Sequence, residues 1–290
     1  MIFDTHPHIL AADTKRYRID PIGGTQSAWS KNASLTAEDL LHAMDVAGVV
    51  AATVVQASTV YGDDNSYVAD SVLRFPQRFV GVGGIDPRTV DAIERLTYWV
   101  KQRRLGGMRV FAGGSTVTDA TWLDGHAIEP FWDAAEQLQV PINIQVRFGD
   151  LHRIGVIAAR HPALRIIVDN LGLPPLDDPP FFAGLQPISD LAKHTFVFLK
   201  YTNSNLAAVV AAHARTRTLI HALLDRFASD RIMWGSNFPN LQPPGPAPYT
   251  VLVEEAKDAL AECPPAVRAS ILGGTAGKLY PQLMGGRLRP

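Results

Sequence analysis

Short apolar runs rich in Val, Ile, Phe and Ala recur eight times along the 290-residue chain. They are MIFDT (1–5), VVAATVVQ (49–56), FVGVGGID (79–86), GGMRVF (106–111), PINIQV (141–146), RIIVDN (165–170), TFVFLKYT (195–202) and RIMWGSNF (231–238). Apolar positions in these runs do not alternate strictly with polar ones, which is the pattern of a sheet covered on both faces. Between them the period changes to 3.6 residues, as in TAEDLLHAMDVAG, NSYVADSVLRFP, VDAIERLTYWVKQ, IEPFWDAAEQLQ, LHRIGVIAARHP and RTRTLIHALLDRFASD. Thr36 with Asp39 three residues on, and Gly48 at the far end, predict one helix with a capping box and a glycine stop. Two further helices, near 249–262 and 265–279, have no strand after them. Eight strands alternating with helices over this length predict an α/β fold, a (β/α)8 TIM barrel with C-terminal helices, forming a single domain over 1–290. An open doubly wound sheet is the alternative, but its usual glycine-rich first turn is missing.

The polar segment 11–35 is long for a strand-to-helix connection and predicts a loop over the barrel mouth. STVYGDDN (58–65) and LQPPGPAPY (241–249) are assigned the same part in setting specificity. GGTAGKLY (273–280) has glycines and a lysine, but the first glycine is misplaced for a phosphate loop and Leu279 stands where Ser or Thr is needed, so it reads as a helix end.

Barrel chemistry gathers at the C-terminal strand ends. In chain order those ends supply His6 and His8, Gln56 and Ser58, Asp86, Arg109, Gln145 and Arg147, Asp169 and Asn170, Lys200 and Tyr201, and Ser236 and Asn237. His6 and His8 have the i, i+2 spacing that turns both imidazoles to one face of a strand. That spacing suits a metal clamp; the structural alternative is one histidine in a loop and the other hydrogen-bonded in the barrel floor. Arg109 and Arg147 are cations at the inner ends of apolar strands, where an unpaired charge is costly. Each either pairs with a carboxylate such as Asp86 or Asp150, or forks onto a carboxylate or enolate of a substrate. Lys200 is read the same way. Tyr201 is beside it and is expected to face the other side of the strand.

Composition narrows the partners. A net charge of −1, without a block of like charge, argues against nucleic acid and anionic membrane surfaces. The only cysteine is Cys263, so there is neither a disulfide framework nor a thiolate cluster, which fits a reducing cytoplasm. No run approaches a membrane span, and the N-terminus has no signal-peptide pattern.

DTHPH, GGMRVF, VDNLG, FVFLKYT and DRIMWGSNFP…ILGGTAGKLY together resemble the amidohydrolase-related TIM-barrel hydrolases, nearest the branch of 2-pyrone-4,6-dicarboxylate lactonase. The resemblance implies a site built from HxH on strand one, a histidine in a DHxG motif on strand six and an aspartate in a GSDxP motif on strand eight. Many such enzymes bind a divalent metal there; the pyrone lactonase works without one and activates water with the aspartate. This chain keeps the first motif and carries Asn170 and Asn237 at the other two.

A catalytic zinc needs three protein ligands, and these strand ends supply two histidines, with Asp169 expected to turn away while Asn170 faces inward. No cofactor is therefore expected, or at most a weakly held divalent metal such as zinc on His6 and His8. An amide is no base, so the proton falls to His6 or His8, with Asp169, Tyr201, Tyr61, Asp63 and Asp64 behind them. Asn170 and Asn237 become donors to a carbonyl or oxyanion. Arg109, Arg147, Lys200, Gln56, Ser58, Gln145, Tyr201 and Tyr61 form the expected substrate-binding set. The expected function is a hydrolase opening a lactone or related C–O or C–N bond in a small anionic substrate without a tightly bound metal. The alternatives are a metal-independent lyase, decarboxylase or isomerase in the same pocket, and a non-catalytic ligand-binding barrel.

Overall fold

The computed structural model describes residues 1–31, 34–114, 117–176, 184–239, 241–242, 245–246 and 248–284. Its main sheet contains eight parallel strands in sequential order: β1 (Phe3–Asp4), β2 (Ala51–Val55), β3 (Phe79–Gly84), β4 (Gly107–Phe111), β5 (Ile142–Gln145), β6 (Ile166–Val168), β7 (Val197–Thr202) and β8 (Ile232–Gly235). β8 returns to β1 through Thr5, whose amide and hydroxyl donate to the Trp234 carbonyl at 3.2 and 2.5 Å. The result is a nearly closed (β/α)8 barrel, with each of the eight predicted apolar runs supplying one strand.

Helices cover the outside. The one over Ala37–Ala47 begins with the predicted box: Thr36 accepts from the Asp39 amide, and the Asp39 carboxylate accepts from the Thr36 amide at 2.9 Å. It ends at Gly48, whose φ of 71° is the left-handed conformation that favours glycine. The helices Ser66–Arg74, Glu129–Gln137, Leu151–Arg160, Thr216–Leu224 and Tyr249–Ala259 all lie within predicted stretches. The helix Ala92–Thr97 continues as a wider π turn over Tyr98–Gln102. Four helices lie outside the predicted stretches: the single turns Ala28–Lys31 and Ser58–Tyr61 in segments read as loops, and Gln186–Leu191 and Asn203–Ala211, the last with a small apolar face (NSNLAAVVA) of little periodic contrast.

Strand alternation separates two apolar zones. Ala52, Val54, Met108, Val110, Ile144, Leu199 and Trp234 face the helices in the principal core. Ala51, Val55, Val80, Val82, Ile167 and Met233 point into the barrel, where they meet Phe3, Leu279, Tyr280 and Leu283. The GGTAGKLY stretch thus belongs to a helical segment, a π turn over Ser270–Gly274 followed by Thr275–Leu279, whose end helps fill the barrel's lower part. Tyr280 presents its hydroxyl to the Asn143 amide at 3.2 Å. Above that floor the inward residues turn polar, and there the site begins. Most of LQPPGPAPY falls outside the described residues, apart from a small antiparallel pair, Leu241–Gln242 with Gly245–Pro246.

Candidate active site

Asp169 is the centre of a buried charge cluster. Its Oδ1 is ion-paired with Lys200 Nζ and its Oδ2 accepts from Arg109 Nε, both at 2.8 Å. Asp169 and Lys200 are fully buried, so each charge depends on the other for compensation. Burial alone would raise the Asp169 carboxyl, but Lys200 and Arg109 hold it below the usual carboxylate range. Burial pushes Lys200 down, against the pull of Asp169. Lys200 also donates to Asn143 Oδ1 at 2.7 Å, and Asn143 reaches Tyr280, so the cluster stands directly on the barrel floor. Arg109 continues upward, donating from Nη2 to Gln145 Oε1 at 3.1 Å, with its guanidinium 5.3 Å above the Phe111 ring.

The sequence pattern predicts Asn170 facing inward and Asp169 turned away. For Asp169 this is corrected: it follows inward-facing Ile167 by two residues and points to Lys200 and Arg109. Both therefore face inward. β6 stops at Val168, and Asn170, Leu171, Gly172 and Leu173 all take positive φ, between 51° and 72°. This left-handed run abolishes strand alternation and brings Asn170 to the rim just above Asp169. The strain is held by three bonds: Asn170 Nδ2 to Gln145 Oε1 (2.8 Å), Thr202 Oγ1 to Asn170 Oδ1 (2.8 Å) and Asn205 Nδ2 to the Asn170 carbonyl (3.1 Å). Asn237 is also left-handed, at φ 56°, and donates to Ser204 Oγ at 2.8 Å. Asparagine enters this region more readily than most residues, so the backbone supplies a second reason for an amide at both places.

His6 and His8 stand edge to face, with ring centroids 5.0 Å apart. The close approach of His6 to β8 requires Gly235, where a Cβ would lie 2.5 Å from the His6 Cβ. His6 is fully buried, its Nδ1 is 3.6 Å from Asp169 Oδ1, and neither nitrogen has a hydrogen-bond partner among the described residues. Burial, then Lys200, Arg109 and His8, depress its pKa well below the ordinary value. His8 is different: Nδ1 is 2.8 Å from the Val55 carbonyl, which makes Nδ1 the donor and leaves the lone pair on Nε2. Burial and Arg109 lower His8 to about 4, opposed in part by the Val55 carbonyl, by Asp169 and by the neighbouring Asn237 side chain. Both imidazoles are neutral near pH 7.

A cavity of about 210 Å³ opens above this arrangement, lined by His8, Arg109, Gln145, Asn170 and Asn237, with Ser58, Trp29 and Phe111 among its walls. Other predicted residues do not reach it. Tyr201 is fully buried among the helix-facing core, so its assignment to substrate binding is corrected: strand alternation sends it outward from Lys200. Lys200 is locked beneath the cavity by Asp169 and Asn143 and cannot grip a substrate there. Arg147 is exposed beyond the end of β5 and donates to the Gly114 carbonyl at 3.0 Å. Gln56 turns away to the carbonyls of Gly62 and Asp64, and the Tyr61 hydroxyl accepts from the Ala11 amide at 2.8 Å; both tie loops together. Asp86 pairs with Arg88, Asp63 with Arg95, Asp150 with Arg153, and Asp64 accepts from Ser66, so these carboxylates are engaged elsewhere.

Sequence reasoning missed Asp4, Asn143, Thr202 and Trp29. Asp4 is buried between β1 and β8, where Oδ1 accepts from the amides of His6 (3.0 Å) and Ser236 (2.8 Å) and Oδ2 from the Tyr249 hydroxyl (2.8 Å). Burial raises its pKa against those bonds. Its position inside DTHPH, and the polar run KYTNSN after β7, were the available signals.

A divalent metal would have to be held by His6, His8 and Asp169. Both Asp169 oxygens are ion-paired, and the two cations that adjoin it would repel a third. Among the described residues no group of three or more His, Cys, Asp or Glu is placed to hold a metal. The donor set does not fit such an ion.

The Amidohydrolase family model matches residues 3–282. The chain belongs to this family. Among its relatives, an L-fucono-1,5-lactonase from Burkholderia ambifaria is 26% identical over 235 residues, covering 79% of each chain. A Pseudomonas putida protein described as a 2-pyrone-4,6-dicarboxylic acid hydrolase superposes with a TM-score of 0.78 at 20% identity, covering 97% of both chains. An Acinetobacter baumannii protein of the same description, with citric acid bound, gives 0.75 at 16% identity, covering 97% of this chain and 99% of the other. At these identities the two structures establish the shared barrel. No helix among the described residues is long and apolar enough to cross a membrane.

Proposed function

We propose that this amidohydrolase is a lactone hydrolase acting on a small anionic substrate, with His8 as the base that activates water. One observation carries the reading: among the described residues lining the cavity, His8 is the only side chain that is neutral near pH 7 and carries a basic lone pair. Arg109 is the other ionisable group there and is a permanent cation. The lactonase relative supports the bond type.

In this mechanism Arg109 holds the substrate's negative group. Water lies between His8 Nε2 and the Asn237 amide. As its oxygen bonds to the lactone carbonyl carbon, its proton passes to Nε2, and the carbonyl π pair moves to oxygen. The amide N–H groups of Asn170 and Asn237 stabilise that oxyanion. When the carbonyl re-forms, the ring C–O bond breaks and the leaving alkoxide takes the proton from Nε2, giving the hydroxy acid. A substrate anion on Arg109 offsets the guanidinium's depression of His8 and strengthens the base when substrate is present. No step passes through a metal, in keeping with the donor set.

The test is turnover of six-membered lactones in ¹⁸O-labelled water. Label in the product carboxylate and activity that survives chelation are expected. His8→Ala should lower kcat/KM by about a hundredfold to ten-thousandfold, the usual contribution of a general base. Unlabelled product would replace hydrolysis with proton-transfer chemistry, and full activity in His8→Ala would remove the assigned base.

A further inference from the structure

The cavity walls carry more information than the reaction type. Arg109 is their only charged side chain among the described residues. It spends Nε on Asp169 and one Nη2 bond on Gln145, leaving Nη1 uncommitted among the described residues. Arg147 and Lys200, the other two expected cations, are respectively on the exposed rim and beneath the floor. One guanidinium matches one carboxylate, and a second carboxylate would enter the cavity without a partner, at a large desolvation cost.

Apart from Arg109 the lining is uncharged but rich in hydrogen-bonding groups. Ser58 brings a hydroxyl beside the bonded pair of Thr59 and Ser27, and Asn170, Asn237 and Gln145 bring amides. The Ser58 hydroxyl makes no hydrogen bond to a described residue, although Ser58 is 2% exposed. Such donors and acceptors are poorly used by a flat, unsubstituted ring and well used by ring hydroxyls. Trp29 completes the wall. It comes from the segment 11–35 and stacks on His8 at 5.4 Å and 25°, which places a large aromatic surface beside the base. That surface suits the C–H face of a saturated ring. The volume, about 210 Å³, falls short of the roughly 300–1,000 Å³ usual for drug-sized ligands and accommodates one ring with its substituents.

We infer that the substrate is a saturated, polyhydroxylated six-membered lactone bearing a single carboxylate, held by Arg109 at the carboxylate, by Ser58 and the amides at its hydroxyls, and by Trp29 at its ring face. This inference rests on the lactonase reading but can be tested apart from it, because ligand recognition needs no turnover. D-glucuronate, whose saturated pyranose ring bears several hydroxyls and one carboxylate but no ester bond, is the probe. In calorimetry at pH 7 it should bind at least about tenfold more tightly than D-glucose, which lacks the charge, and than 2-pyrone-4,6-dicarboxylate, which has a second charge and no hydroxyls. Trp29→Leu should weaken D-glucuronate about tenfold while leaving the melting temperature unchanged.

Equal binding of D-glucose, tighter binding of the dicarboxylate, or no binding of any of the three overturns the inference. If D-glucuronate binds in the expected order while no lactone is hydrolysed, the ligand class stands and the reaction assignment falls. If lactones turn over but the binding order is reversed, the reaction stands and the ligand class falls.

Discussion

At the scale of single residues, His8 and Asn237 make the sharpest case, since one holds the lone pair and the other sets an amide beside it on the cavity wall. His8 is surrounded by Arg109, His6, Asp169 and Asn237, and its pKa of about 4 reflects burial first and Arg109 second. The base works only when neutral, so kcat/KM should be sustained above that value and fall as pH drops through it. Asn237→Asp puts a carboxylate beside the ring, and aspartate also tolerates the local φ of 56°. An opposite charge within about 4–6 Å shifts a titrating group by about one to three units, so the acid limb of the rate profile should move upward by that amount. The variant is also expected to strengthen water activation or metal affinity. An unmoved acid limb would mean that position 237 does not sense His8.

Among the elements, the seam between β1 and β8 matters most, because it joins the two segments that carry His6, His8 and Asn237. Asp4 holds this seam by accepting from the His6 and Ser236 amides and from Tyr249. Asp4→Ala leaves two buried amides and a hydroxyl unsatisfied, and should cost on the order of 3 kcal/mol in chemical denaturation. Asp4→Asn retains an acceptor for the amides, and its own N–H can donate to Tyr249, so it should cost much less. Equal losses in the two variants would show that the negative charge, rather than the hydrogen bonds, holds the seam. The turn after β6 shows an element diverging from its sequence pattern. Alternation holds through Asp169 and then fails, because four consecutive left-handed residues replace the strand. Neighbours far along the chain, Gln145, Thr202 and Asn205, hold that conformation, and local propensity contains no trace of them.

For the whole molecule, burying two neutral imidazoles in a cationic interior couples stability to pH. Unfolded, His6 and His8 titrate near 6.5; folded, His8 titrates at about 4 and His6 well below its ordinary value. Between those limits the unfolded chain binds more protons, so stability should decline as pH falls from about 6.5 towards 4. His8 alone accounts for about 3 kcal/mol of this loss at 1.36 kcal/mol per unit. Asp169 acts at lower pH: its depressed pKa contributes stability above about 3.8 that is lost on further acidification. Denaturant midpoints at pH 7 and 4.5 check the first effect, and identical midpoints would contradict the neutral burial of these histidines.

The barrel was legible in the chain because it depends on repetition: eight apolar runs and the intervening 3.6-residue pattern specify strands and helices locally, whatever their partners. The paired histidines, Arg109 and the two asparagines were legible for the same reason, as residues at the ends of recognisable runs. Only the tertiary structure decided which of those ends share a cavity. It withdrew Lys200 beneath the floor, turned Tyr201 into the helix layer, left Arg147 at the rim, and brought in Asp4 and Trp29. Such choices depend on which charge finds which counter-charge across the barrel and on where the backbone leaves the strand. Both are set by contacts between residues tens to hundreds of positions apart, which periodicity along the chain does not encode.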